Sequence, residues 1–403
     1  MAPNGMDLGV RNVLVYVDDA VRYDALADEL AALGPTYRTV AASTHTPTSF
    51  GSLLTGLYPP AAGVLSFEHS PAVGVRSVFD IKSHTTTIAA NGGMNHSIAN
   101  MFGQPPRATI EDVEPPFIHV ARRPGGHAPY NGFDLTIDEF SNETGREYLL
   151  RVADAPIEAR REYYDGVRTS FEEFQRVRGV LAERGLADET LVVYTSDHGE
   201  LLGEYGFFGH THLATPEIVY VPTTFVHPAL EPSAEPSLLG HVDLLPTIAS
   251  SLQGDTDVGR THGTAFGGDR AVGYNHFEHV RYGSLPDVLE DASEAVGGFD
   301  RSVRSLWDGN GGHVFTKGST LKTSIVYAGL LLRAPHGRHI LRNRRTKDVY
   351  SRFVPGHQRY GSPGFSRAEA LRQIEGPPTD TSVSDSGQLD EETVEHLRDM
   401  GYM

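Results

Sequence analysis

Five short apolar runs without polar alternation mark the chain: residues 12–17 (Asn-Val-Leu-Val-Tyr-Val), 85–90, 116–121, 190–195 and 220–225. Their continuity and β-branched content predict strands buried on both faces of a parallel sheet. A shorter extended run covers residues 39–42. The stretches between them carry a helical period instead. Residues 20–33 read as a helix, and residues 158–184 as a long one with Tyr164, Val167, Phe171, Phe174, Val177 and Leu181 at steps of three and four. Gly185 supplies its stop. That stripe is core and its charged opposite face is solvated. Residues 241–248 begin another helix, where Asp243 reads as a cap. Strands alternating with helices predict an α/β fold whose central, mostly parallel sheet is flanked by helices.

The pattern changes after about Gly254, with Gly- and Asp-rich segments and brief extended runs at 313–316 and 339–342. These predict a small C-terminal α+β subdomain with an antiparallel sheet. Residues 1–254 are then a catalytic α/β domain, 255–374 the smaller subdomain, and 375–403 a linker (375–388) with a terminal helix at 391–400.

Open α/β sheets bind ligands beyond the carboxyl ends of their strands, so the polar residues there are the candidates for chemistry. The first strand ends in Asp18-Asp19, and the 190–195 strand delivers Ser196-Asp197-His198-Gly199-Glu200. Either Asp of the first pair, taken singly, also fits a cap for the helix that follows. Together the three carboxylates and one imidazole suit an oxygen-preferring divalent cation, Mg²⁺, Mn²⁺ or Ca²⁺. The stretch Thr44-His45-Thr46-Pro47-Thr48-Ser49-Phe50 opens an apolar helical run closed by Gly56. With Pro47 at a first helical position, Thr46 is the expected N-cap, facing the positive end of the helix dipole. An ordinary capped helix satisfies this stretch equally well on its own. His127 lies in the loop 122–130 after the 116–121 strand, where a general acid or a phosphate donor can stand. Gly209-His210-Thr211-His212 adds a His-x-His pair, a weak signal by itself.

Composition narrows the partners. The net charge is −18, and only four of the 34 basic residues are lysine. An acidic, lysine-poor surface suits a cytosol of high salt, and screening there removes the self-repulsion. No basic stripe offers itself to nucleic acid or to an anionic membrane. There is no cysteine, which excludes disulfides, thiolate metal sites and cysteine nucleophiles. The first residues lack a basic flank and an apolar signal core, and no apolar run is long enough to span a bilayer, so the expected location is cytoplasmic.

In succession, Asp18-Asp19, Thr46…Ser52-Leu53-Leu54-Thr55-Gly56, His127-Ala128-Pro129-Tyr130, Ser196-Asp197-His198-Gly199, Gly209-His210 and Val242-Asp243-Leu244-Leu245-Pro246-Thr247 resemble the sulfatase branch of the alkaline phosphatase superfamily. The likeness runs nearly the whole length. It implies an alkaline-phosphatase-like sandwich, one divalent metal ion on Asp18, Asp19, Asp197 and His198, and Thr46 as nucleophile, ten residues before Gly56. It also implies His127 beside the leaving group and His210 at a position, often lysine, that contacts the ester oxygens. Two departures matter. Sulfatases carry Cys or Ser, converted to formylglycine, followed two residues on by Pro-Ser-Arg. This chain has Thr46-Pro47-Thr48-Ser49-Phe50, and threonine is the nucleophile type of phosphodiesterase and phosphotransferase relatives. The Asp-x-x-x-His pair of two-metal members has one match, Asp80 with His84, which enters a strand at its amino end. The expectation is a metal-dependent hydrolase of a phosphate, phosphonate or sulfate ester, with a small-molecule or glycan substrate. A phospho-group transferase on the same fold and a catalytically silent binding protein are the alternatives.

Overall fold

The computed structural model describes residues 8–130, 143–210, 213–278, 301–333, 337–342 and 344–375, with the pairs 133–134, 139–140 and 384–385 and residue 394. Eight strands form the main sheet: β1 (Asn12–Asp18), β2 (Pro35–Val40), β3 (Thr85–Ala89), β4 (Arg107–Ala108), β5 (Phe117–Arg123), β6 (Thr190–Ser196), β7 (Tyr220–Val226) and β8 (Ser233–Gly240). Their spatial order is β8-β2-β7-β6-β1-β5-β3-β4. All are parallel except β7, which runs antiparallel to both β6 and β2. This is the α/β sandwich that the apolar runs predict.

Helices cover both faces. One face receives α2 (Thr46–Thr55), α3 (Gly93–Met101) and α5 (Leu244–Ser251), packed on Val13, Val15 and Val17 of β1. The other receives α1 (Tyr23–Ala31) and α4 (Pro156–Glu183), packed on Leu14 and Tyr16. Consecutive residues of β1 therefore serve opposite layers, as the two-residue period of a strand requires.

Several boundaries differ from the sequence reading. The first helix begins at Tyr23, because Asp19 to Arg22 form a tight turn in which Ala20 takes a left-handed φ of 59°. Strand β5 continues through Arg122 and Arg123, two residues beyond the apolar run. Helix α2 starts at Thr46 itself, and its N-cap is His45, in extended conformation, so Thr46 is the first helical residue and not the cap. The expected extended run at 339–342 lies in the helix Gly337–Arg342. In α4 the fully buried tyrosine is Tyr163, with Ser170 buried in the same stripe.

A second, antiparallel sheet joins β9 (Gly273–Glu278), β10 (Ser302–Asp308), β11 (Gly311–Lys317) and β12 (His357–Gly361), and the helix Arg367–Glu375 packs on it through Ala370 and Ile374. Phe277, Val303, Trp307 and Tyr360 pack it onto Val40, Val219 and Tyr220 of the main layer. Main-chain contact is direct at one point, where the His276 amide donates to Ala42 O (2.8 Å). The small sheet thus braces the segment leading from β2 into Thr46. The terminal helix expected at 391–400 falls outside the described residues, apart from residue 394. Among the described residues no helix is long and apolar enough to cross a membrane.

Candidate active site

Three strand ends and one helix end meet at the carboxyl edge of the sheet. Asp19 follows β1, Asp197 and His198 follow β6, Arg122 ends β5, and Thr46 opens α2. Asp19, Asp197 and His198 are fully buried, and one ligand atom from each lies within 4.8 Å of the others. His198 Nε2 stands 3.5 Å from Asp197 Oδ2 and 3.8 Å from Asp19 Oδ1. The hydroxyl of Thr46 lies 3.1 Å from the same nitrogen, His198 Nε2. His198 Nδ1 donates to Gly199 O (3.1 Å), which fixes the ring's tautomer and leaves Nε2 as its acceptor edge.

Backbone contacts hold these side chains in place. The Asp19 amide donates to Arg123 O (2.9 Å), and the Gly126 amide donates to Asp19 O (2.7 Å). Gly125, at φ +52°, passes so near that a Cβ there would lie 2.5 Å from Asp19 O. The Ala20 amide donates to Asp197 Oδ1 (3.2 Å) and the Val21 amide to Ser196 Oγ (2.8 Å). The turn after β1 is thereby tied to the end of β6.

The electrostatics suit a cation. Burial, with Asp19 close by, pushes the Asp197 carboxyl up to about 6. Its Oδ2 is buried and has no hydrogen-bond partner among the described residues. Burial also works to raise Asp19, but the Arg122 guanidinium, with His127 and His198, holds that carboxyl below its ordinary value. Arg122 reaches Asp19 Oδ2 through both Nε (3.2 Å) and a terminal nitrogen (2.6 Å). Two crowded carboxylates, one with an unsatisfied oxygen, beside an imidazole edge form a donor set that fits a hard or borderline divalent cation. Three such side chains would leave coordination positions open to a substrate.

Asp18 does not join them, which corrects its expected role as a ligand. Its carboxylate faces the opposite layer, where Oδ1 accepts from Ser170 Oγ (2.7 Å) and Oδ2 from Tyr194 OH (2.7 Å). Strand alternation separates the two aspartates that sequence places side by side. The Asp80–His84 pair is likewise occupied elsewhere. Asp80 accepts from the Ser77 amide (2.7 Å) in a capped turn, and His84 Nδ1 meets Ser83 Oγ (2.9 Å).

Two more histidines border the cluster. His127 is buried, and burial, reinforced by Arg122 and opposed by Asp19, pushes its pKa down to about 4. Its Nδ1 donates to Ala128 O (2.7 Å), leaving Nε2 as the acceptor edge of the neutral ring. The His210 ring centre lies 4.1 Å from that of His198 and 5.2 Å from that of His127. His210 Nδ1 pairs with Glu200 Oε2 (2.8 Å), while Glu200 Oε1 accepts from Tyr130 OH (2.7 Å). Burial pushes the Glu200 carboxyl well above its ordinary range. His212 lies outside the described residues.

Arg122, Asn95, Tyr130 and Glu200 were absent from the expected site. Asn95 accepts from the Arg122 amide (3.0 Å) and donates to Arg122 O (3.0 Å), so α3 holds that arginine's backbone. The available signal for Arg122 was an Arg-Arg pair ending one strand and an Asp-Asp pair ending another. In the parallel register Asp18 lies opposite Arg123 and Val17 opposite Arg122. Asp243, left with a structural reading, accepts from the Gly240 amide (2.8 Å) and binds Arg270 through both carboxylate oxygens.

The Sulfatase family model matches residues 107–254. A low-salt glycan biosynthesis sulfotransferase, Agl7 of Haloferax volcanii, is 30% identical over 427 aligned positions, covering 98% of this chain and 97% of the relative. Among solved structures, the 2-O GAG sulfatase BT1596 superimposes with a TM-score of 0.57 at 13% identity, over 93% of this chain and 98% of the other. The phosphonate monoester hydrolase of Agrobacterium radiobacter gives 0.53 at 15% identity, over 82% and 96%. The two structural likenesses speak for the fold, and the full-length relative together with the family model speaks for descent: this chain belongs to the sulfatase family.

Proposed function

We propose that this chain is a metal-dependent enzyme that opens an anionic sulfate or phosphate ester by attack of Thr46 and passes the group to a glycan hydroxyl. One observation carries the reading: the Thr46 hydroxyl, at the positive end of α2, sits 3.1 Å from His198 Nε2 beside two buried carboxylates. Similarity along the whole chain to a sulfotransferase of glycan biosynthesis supports a sulfo group and a glycan acceptor.

Asp19, Asp197 and His198 would hold the cation, which supplies Lewis acidity that lowers the Thr46 hydroxyl pKa and offsets the charge of the ester oxygens. The Thr46 oxygen, its proton given up to solvent, attacks sulfur (or phosphorus), and the bond to the departing oxygen breaks. His127, anchored through Nδ1, gives that oxygen a proton from Nε2, since the negative charge of a bound ester raises the ring's proton affinity. His210 contacts the remaining ester oxygens. In the second half, the acceptor hydroxyl loses its proton to His127 and attacks the group on Thr46, which is released as it began. Because threonine cannot become formylglycine, direct displacement is the route this residue leaves open.

The family model and the solved neighbours favour a second reading, in which water replaces the glycan as acceptor. Turnover of sulfate, phosphate and phosphonate esters with Mg²⁺, Mn²⁺ or Ca²⁺, with and without added acceptor alcohol, separates the two. Transfer yields a new ester whose share rises with acceptor, whereas hydrolysis yields only the free anion. Thr46→Ala should lose activity by a factor on the order of 10⁴ while keeping metal. Wild-type turnover in that variant would remove Thr46 from the mechanism.

A further inference from the structure

We propose that Glu200 is a positioning residue that holds the His127 loop and His210 in one frame and selects which nitrogen of His210 meets the ester. The proposal rests on the reading of His210 as an ester contact. A lysine at that position offers three equivalent donors on a rotatable ammonium and needs no such partner. An imidazole has two distinct nitrogens, and the bond made by one decides what the other presents. Glu200 Oε2 accepts from Nδ1–H at 2.8 Å, so Nε2, on the opposite edge of the ring, is the nitrogen that faces substrate and that donates to an ester oxygen once it carries a proton.

The other half of the carboxylate reaches a different loop. Oε1 accepts from Tyr130 OH at 2.7 Å, and Tyr130 stands three residues after His127. Tyr130 is itself wedged edge-on against Tyr148 and Tyr163, with ring centres 5.1 and 5.3 Å away. Tyr163 OH then donates to Ala20 O (2.9 Å) and accepts from the Arg22 amide (2.9 Å), in the turn that follows Asp19. One buried carboxylate thus links the His210 loop, the His127 loop and, through edge-on tyrosine rings, the backbone beside Asp19. A fully buried carboxylate is an expensive way to fill space, since an apolar side chain of similar volume commonly packs as stably or better. Its two directed bonds account for its presence here.

The test compares Glu200→Ala, Glu200→Gln, Tyr130→Phe, His210→Ala and the Glu200→Ala/His210→Ala double variant on an ester that the wild type turns over. Glu200→Ala should lower kcat/KM by about 10- to 100-fold. Glu200→Gln should retain most activity, because its amide oxygen still accepts from Nδ1–H. The double variant should lose less than the product of the two single losses, since part of what Glu200 does runs through that ring. Nitrogen-15 histidine spectra supply a readout independent of turnover. The wild type and Glu200→Gln should show a single His210 tautomer, and Glu200→Ala a mixture. Glu200→Ala within twofold of wild type, losses that multiply in the double variant, or an unchanged tautomer would each overturn the proposal. Should Glu200→Ala not fold, Tyr130→Phe decides: partial loss with a shifted His210 signal supports the proposal, and no change in either overturns it. Activity surviving in Thr46→Ala would sink the nucleophile reading instead, leaving the spectra to judge Glu200 separately.

Discussion

Two neighbouring layers at the carboxyl edge of the sheet are built from the same residue types and end differently. On one face Asp19 meets Arg122, and Asp197 keeps one buried oxygen without a hydrogen-bond partner among the described residues. On the other face Asp18 has both oxygens filled by the hydroxyls of Ser170 and Tyr194, and Arg123 lies 3.9 Å from Glu173. Asp18 and Asp19 are adjacent in sequence, as are Arg122 and Arg123, so the pleat alone assigns each to its layer. The difference teaches that a buried carboxylate becomes a candidate ligand when its neighbourhood leaves an oxygen unanswered. Neutral hydroxyl donors on Asp18 leave nothing for a cation to do.

That contrast can be broken from either side. The largest effect is expected on the face of the candidate site. Asp197→Ala should lower turnover by about 10³-fold or more and lose bound metal on dialysis, measured by elemental analysis beside a rate assay. Its metal-free melting temperature should hold or rise, because the substitution relieves the crowding of two buried carboxylates. A metal-loaded, active Asp197→Ala protein would erase the distinction between the layers. On the back face, Asp18→Ala should cost about 1–3 kcal/mol of stability in denaturant titration, the penalty for leaving buried hydroxyls unsatisfied. Metal content should stay at the wild-type level. Asp18→Asn, which can still accept from one hydroxyl and donate to the other, should change stability by less, about 1 kcal/mol.

The smallest effect concerns pH and tests the back layer away from either carboxylate. Burial pushes His119 down to about 4, with Thr87 Oγ1 2.8 Å from its Nδ1. Below the ordinary value of 6.5 the unfolded imidazole takes up a proton that the folded one refuses until about 4. Stability is therefore present above 6.5 and lost as pH falls through that window. His119→Gln should flatten this acid slope in urea titrations at stepped pH. An unchanged slope would place the acid sensitivity elsewhere, such as His241, which burial also pushes down to about 4.

The legibility of the molecule follows the range of the forces involved. Continuous apolar runs announced β1, β3, β5, β6 and β7, because burial on both faces demands such runs. The brief stretch at 339–342 misled, since a few residues do not distinguish a strand from a turn of helix. As candidates, Asp19, Asp197, His198, Thr46, His127 and His210 could be named from their places at strand ends and from the resemblance. Arg122 was missed because β5 runs two residues beyond its apolar segment, and Glu200 because its partners, Tyr130 and His210, lie on separate loops.

By itself the order of residues determined the sheet, its flanking helices and which segments end at its carboxyl edge, since those depend on local periodicity and the need to bury apolar surface. Only the tertiary structure decided which aspartate of a pair turns inward to the cluster, which arginine faces it, and which carboxylate frames the two histidines. Those choices depend on strand phase and on hydrogen-bond partners far away in sequence, and neither quantity is written in any local stretch of the chain.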